Sequence, residues 1–162
     1  MEETVTLHLD GPARTDALGA ALAGRLRAGD ALLLSGPVGA GKSALARAVI
    51  HAAQAAAGEP LEDVPSPTYT LVQTYRAGTL SIWHADLYRL GDPGELAELG
   101  LEDAFADALC LIEWPDRLGD LRPDEAIAID LSAAADGAAR HLDATGPADR
   151  IARLFDGWTE AA

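Results

Sequence analysis

Apolar positions recur along this chain in several distinct ways. In VTLHL (Val5 to Leu9) they alternate, the pattern of an edge or half-buried strand. ALLLS (Ala31 to Ser35) and ALCLIEW (Ala108 to Trp114) are instead continuous apolar runs, the pattern of strands buried on both faces, and Pro115 ends the second. Leu18, Leu22 and Leu26 recur at every fourth position, which predicts a helix capped by Thr15 or Asp16 and closed at Gly29-Asp30. SALARAVIHAAQAAAG, starting at Ser43, is strongly helix-forming and stops at Gly58-Glu59-Pro60.

Two β-rich runs, Thr70 to Arg76 and Thr79 to His84, flank Ala77-Gly78 and predict a hairpin. DPGELAELGLEDAFAD reads as an acidic helix. IAIDLS (Ile127 to Ser132) and ARHLDATG (Ala139 to Gly146) predict a second hairpin across Asp136-Gly137. PADRIARLFDGW reads as a closing amphipathic helix. Strands and helices thus alternate around buried core strands, which predicts an α/β fold with a mixed sheet. A length of 162 residues suits one domain over residues 1–162.

Composition narrows the class. Apolar residues make up 49% of the chain, enough for a packed core. The net charge of −14 argues against a broad direct contact with nucleic acid, DNA included, because neutralising phosphates takes clustered Lys and Arg. It suits a protein that meets a basic partner. Cys110 is the only cysteine and sits in an apolar run, so we expect it buried and inert. The acidic start MEETVTL lacks the apolar segment of a signal peptide. No apolar run approaches the roughly 18 residues of a membrane helix. The expectation is a cytoplasmic protein without membrane contact.

One residue type stands out. Lys42 is the only lysine among 12 basic residues, and it lies in GPVGAGKS. Gly36-x-x-x-x-Gly41-Lys42-Ser43 matches the P-loop pattern, and it falls after a buried strand and before a helix, as that mechanism requires. Glycines let backbone N–H groups wrap a phosphate chain where side chains would block the approach. The helix N-terminus favours the anion. Lysine offers a compact charge on a long stem, and arginine's planar fork does not replace it. Ser43 offers a hydroxyl to Mg²⁺. Gly36, Gly39, Ala40, Gly41, Lys42, Ser43 and Ala44 are therefore the candidate phosphate-binding residues.

Such a site needs a carboxylate near Mg²⁺ at the end of a neighbouring strand. Glu113 ends LCLIE, and Asp86 lies two residues past His84 in SIWHAD. One would hold the metal and the other would order the attacking water, and spacing alone leaves the assignment open. His84 reads either as a γ-phosphate sensor or as a structural histidine. Trp114 reads either as a pocket or as a core aromatic. Ser66 and Thr68 flank Pro67 in a polar turn that could follow the γ-phosphate or simply cap itself. Arg89 and Arg117 read as transition-state charge or as surface arginines.

SPTYTLVQTY, HADLYRL and LIEWPDRL, following GPVGAGKS, resemble the TsaE family of bacterial tRNA threonylcarbamoyladenosine biosynthesis ATPases. The four motifs share the family's order and spacing over roughly residues 30–120. The resemblance implies a P-loop NTPase-like α/β domain with a mixed, mainly parallel sheet flanked by helices, ATP and Mg²⁺ binding, and slow hydrolysis that depends on partner proteins. It implies partnership with TsaD and TsaB, which transfer threonylcarbamoyl to an adenosine beside the anticodon of tRNA, the ATP cycle resetting that complex. Carried over by motif, Ser43 and Glu113 hold Mg²⁺, Lys42 and Asp86 serve hydrolysis, and Thr68 is the switch threonine. Trp114 and the region of Thr15 correspond to nucleotide-pocket positions. The family loop commonly reads GDLGAGKT; here Pro37 replaces the acid and Ser43 replaces threonine. The residues alone leave two other readings: a small-molecule kinase, which needs an arginine-bearing lid, and a nucleotide-dependent binding switch without useful turnover.

Overall fold

Seven strands and five helices are described: β1 (Glu2–Leu9), α1 (Pro12–Ala23), β2 (Ala31–Ser35), α2 (Lys42–Ala56), β3 (Val72–Ala77), β4 (Leu80–Asp86), α3 (Glu95–Leu99), α4 (Leu101–Asp107), β5 (Leu109–Glu113), β6 (Ile127–Ala133), β7 (Arg140–Pro147) and α5 (Ala148–Phe155). A 3₁₀ segment spans Pro115–Leu121. The structure is a computed structural model that describes residues 1–92, 94–134, 137 and 139–158. Asp136, in the turn expected between β6 and β7, lies outside them, as does Pro93 in the expected acidic helix.

The strands form one sheet in the order β1-β7-β6-β2-β5-β4-β3. β6, β2, β5 and β4 pair in parallel at its centre. β7 and β1 at one edge and β3 at the other pair antiparallel, so five of the seven strands run the same way. This is the mixed sheet that the buried runs predict.

Side chains alternate across the sheet with period two. Leu32 and Leu34 of β2, with Leu109 and Leu111 of β5, face α1, α2 and α5. Ala31 and Leu33, with Cys110 and Ile112, face α3 and α4. Leu32, Leu33 and Leu34 are fully buried, each contributing about 1.5–3 kcal/mol by leaving water. Cys110 is buried as expected, and burial, then the nearby Asp107 carboxylate, pushes its thiol up to about 12.

Three local expectations need correction. α1 begins at Pro12 rather than being capped by Thr15 or Asp16, because proline's fixed φ suits the first helical position and Gly11 (φ 110) makes the turn into it. It also ends early, at Ala23; Leu26 lies beyond it yet remains buried. The acidic helix is divided, since Gly100 takes a left-handed φ of 78 between α3 and α4. β3 starts at Val72, two residues late, because Leu71 takes φ 68 and donates its N–H to the Pro67 carbonyl at 2.7 Å. Among the described residues no helix is long and apolar enough to cross a membrane.

Candidate functional site

The candidate residues meet where the parallel strands end. Register sets Asp86 of β4 beside Glu113 of β5, and Glu113 beside Leu34 of β2. Period two then decides the face. Glu113 follows Leu109 and Leu111, and His84 and Asp86 follow Ile82, so all three acid and imidazole side chains share the face that carries α2. The chain leaves β2 through residues 36–41 and opens α2 at Lys42, which lays the glycine-rich loop over these strand ends.

The loop's glycines have two separate reasons. Gly36 (φ 142) passes so close to β6 that a Cβ would stand 2.3 Å from the Leu131 carbonyl oxygen. Gly41, with φ 108, is the left-handed residue that turns the chain into α2. Lys42 is buried, and its Nζ donates to the Gly36 carbonyl at 2.5 Å and the Pro37 carbonyl at 3.0 Å. Burial lowers its pKa, and the Glu113 and Asp86 carboxylates pull it back up in part. Its ammonium also lies 4.3 Å from the centre of the Trp114 ring.

Glu113 is the hub. Its carboxylate accepts the Ser43 hydroxyl at 2.9 and 3.1 Å and the His84 Nε2–H at 2.6 Å. That contact sets the imidazole tautomer, and His84 Nδ1 is the one buried side-chain polar atom without a partner among the described residues. His84 is fully buried and does not line the cavity, so it reaches the site through Glu113. Asp86 accepts from the Ser66 hydroxyl at 2.9 Å, the Thr68 hydroxyl at 3.1 Å and the Tyr88 N–H at 3.0 Å. Leu71 is held in its left-handed turn by the same strand end, its carbonyl accepting the Asp86 N–H at 2.9 Å. Trp114 also takes a left-handed backbone, φ 58, and tilts against Tyr88 with ring centres 5.0 Å apart. Two strained non-glycine residues thus flank the two acids.

These groups surround a cavity of about 580 Å³, within the usual range for small-molecule sites. Gly39 and Gly41 line it from the loop, Lys42, Ser43 and Ala44 from the first turn of α2, and Thr68, Asp86, Glu113 and Trp114 from the facing side. Gly36 joins them through its carbonyl, and Ala40 turns its side chain into the core. Thr15 does not line this cavity; it is buried in the first turn of α1. Arg89 stacks over Tyr69, and Arg117 donates to the Leu90 carbonyl at 3.3 Å, so the two do not form a lid. Arg140 lines the cavity and has no sequence signal pointing to it, because only the pairing of β6 with β2 brings the second hairpin to the loop. Arg47, Val38 and Tyr88 complete the rim that motif reasoning left out.

The donor set suits a small hard cation with a phosphate ligand. A hydroxyl and a carboxylate stand together at the base of a loop whose glycine admits no side chain, and Mg²⁺ takes few protein oxygens and completes its shell with phosphate and water.

Comparison with known proteins identifies the family. The family model described as "Threonylcarbamoyl adenosine biosynthesis protein TsaE" matches residues 9–142. The tRNA threonylcarbamoyladenosine biosynthesis protein TsaE of Rickettsia conorii is 39% identical over 125 residues, 77% of this chain and 69% of its own. Its counterpart in Mycobacterium leprae is 38% identical over 138 residues, 80% of this chain and 73% of its own. The crystal structure of Bacillus subtilis YdiB superposes with a TM-score of 0.77 at 25% identity, covering 98% of this chain and 95% of that one. This chain, an α/β domain of the P-loop NTPase-like kind, therefore belongs to the TsaE family.

Proposed function

We propose that the chain is the ATP-binding and ATP-hydrolysing component of the machinery that installs threonylcarbamoyl on a tRNA adenosine next to the anticodon. The family is that of threonylcarbamoyladenosine biosynthesis. The observation that carries the ATPase reading is the contact of Ser43, from the loop that opens α2, with Glu113 at the end of β5, beside Asp86.

In this reading the backbone N–H groups of residues 39–44 hold the β-phosphate, and Lys42 exchanges its loop carbonyls for the terminal phosphates. Ser43 and Glu113 hold Mg²⁺, which when bound neutralises charge on the phosphate oxygens. His84 keeps the Glu113 carboxylate turned toward Ser43. Asp86 orients a water for the γ-phosphorus and takes its proton, and the Ser66 and Thr68 hydroxyls hold Asp86 until the γ-phosphate competes for them. Trp114 and Tyr88 close one wall against bulk water.

Turnover by this chain alone is slow, and TsaD and TsaB raise it; the ATP cycle resets the transferase complex between rounds, in the cytoplasm, with tRNA met through those partners. The net charge of −14 favours such a protein contact over direct contact with tRNA. Phosphate release from ATP, measured with and without Mg²⁺ and with and without TsaD and TsaB, tests this. The expected result is Mg²⁺-dependent release that rises when the pair is added and is lost in Glu113→Ala. Release that ignores the pair would refute the assignment to this complex. Phosphate transferred to an added metabolite instead of water would favour a kinase.

A further inference from the structure

The geometry points to Arg140 as a positioning residue of the phosphate loop, an inference that rests on nucleotide binding at that loop. Arg140 opens β7 opposite Ala133, at the end of β6, and β6 lies directly beside β2, whose end becomes the loop. Its Nε donates to the Ala40 carbonyl at 3.0 Å and its Nη2 to the Gly39 carbonyl at 3.3 Å. Its Nη1 donates to the Gly137 and Ala139 carbonyls at 3.0 and 3.1 Å. One guanidinium therefore ties two consecutive carbonyls of the loop to the turn of the second hairpin.

The consequence follows from peptide geometry. In a trans peptide the C=O and N–H lie in one rigid plane and point in opposite directions. Turning the Ala40 carbonyl toward Arg140 turns the Gly41 N–H away from it. Turning the Gly39 carbonyl the same way turns the Ala40 N–H back into the loop, where it meets the Pro37 carbonyl at 3.1 Å. The Ala40 N–H contact with Pro37 and the Lys42 contacts with the Gly36 and Pro37 carbonyls also brace the loop, but none of them holds the Ala40 carbonyl. Gly36, Gly39 and Gly41 all carry positive φ, and each can rotate at little steric cost. A planar fork with donors in fixed directions can hold two carbonyls at once, whereas a lysine ammonium offers a point charge.

Arg140 thus orients the loop's donors from outside the sequence motif, and affinity for phosphate depends on the β6–β7 hairpin. Calorimetric titration of ATP and ADP into wild-type protein, Arg140→Ala and Arg140→Lys, with thermal melts of each in the absence of nucleotide, tests it. Arg140→Ala is expected to weaken ATP and ADP about tenfold, the effect of one or two hydrogen bonds to a charged group. Its melting temperature should stay within about 3 °C of wild type. Arg140→Lys should remain at least about threefold weaker than wild type, because the ammonium cannot bridge both carbonyls. If Arg140→Ala does not fold, Arg140→Lys decides in the same way. Unchanged ADP affinity in either variant would overturn the role. So would a fall in melting temperature large enough to account for the lost affinity. Wild-type protein that binds no ATP would instead overturn the nucleotide reading itself.

Discussion

The central strand β2 has a buried ionic cluster at each end, and the two are built differently. Before its first residue stands Asp30, which accepts from Arg153 at 2.8 and 2.9 Å and from the Arg27 N–H at 2.9 Å, with Arg150 at 3.4 Å. Burial alone would raise the Asp30 pKa, but the hydrogen bonds and charges of its partners outweigh it and hold the carboxyl below its usual range. Beyond the other end stand Asp86 and Glu113, both buried. Among the described residues neither has an arginine or lysine ion pair; their partners are hydroxyls, a backbone N–H and His84. Lys42, which feels the charge of both carboxylates, is turned to loop carbonyls. A compensated cluster is a structural joint. Two buried carboxylates facing a cavity without a direct arginine or lysine partner keep spare coordination, which under the proposed function serves a cation and a water.

Breaking each end should therefore have a different signature. The largest expected effect is Asp86→Asn, which should lower ATP hydrolysis by about 10²–10⁴-fold while ATP affinity, read by calorimetry, stays near wild type. Asp30→Ala should reverse that pattern. It should cost about 3 kcal/mol of stability in urea unfolding, since it strands the arginines around a lost anion, and leave turnover per folded molecule unchanged. If Asp30→Ala abolished hydrolysis in folded protein, the division between the two ends would fail. Lys42→Ala should weaken ATP binding by about 1.5–3 kcal/mol, the value of hydrogen bonds to charged groups. Unchanged affinity would remove Lys42 from the phosphate site.

The smallest effect is on the acid limb of stability. The folded pKa of Asp30 lies below its unfolded value, so its contribution is complete above the unfolded pKa. It is lost as pH falls through the usual carboxylate range toward the folded pKa. Asp30→Asn should flatten stability against pH in that window. An unchanged slope would show that other carboxylates set the acid limb.

Legibility in the sequence followed the range of the interaction. The P-loop and its helix were readable because Gly36 to Ser43 act through local backbone. Glu113 and Asp86 were readable as strand-end acids. Their separate surroundings were not, since Ser43 and His84 reach Glu113 across 70 and 29 residues of chain and Thr68 reaches Asp86 across 18. The start of α1 was misread because Thr15 and Asp16 are good caps in isolation, while Pro12 after Gly11 is a stronger start. The left-handed turns at Leu71 and Trp114 had no compositional mark, as neither is a glycine.

By itself the sequence determined which segments become buried strands, where the glycine-rich loop lies, and which acids stand at strand ends, because periodicity and glycine spacing act over a few residues. Tertiary structure alone decided which acid meets Ser43, that His84 is sealed beneath Glu113, that Thr15 stays away from the cavity, and that Arg140 holds the loop. Each of these depends on strand pairing and helix packing, which contacts between segments distant in the chain decide.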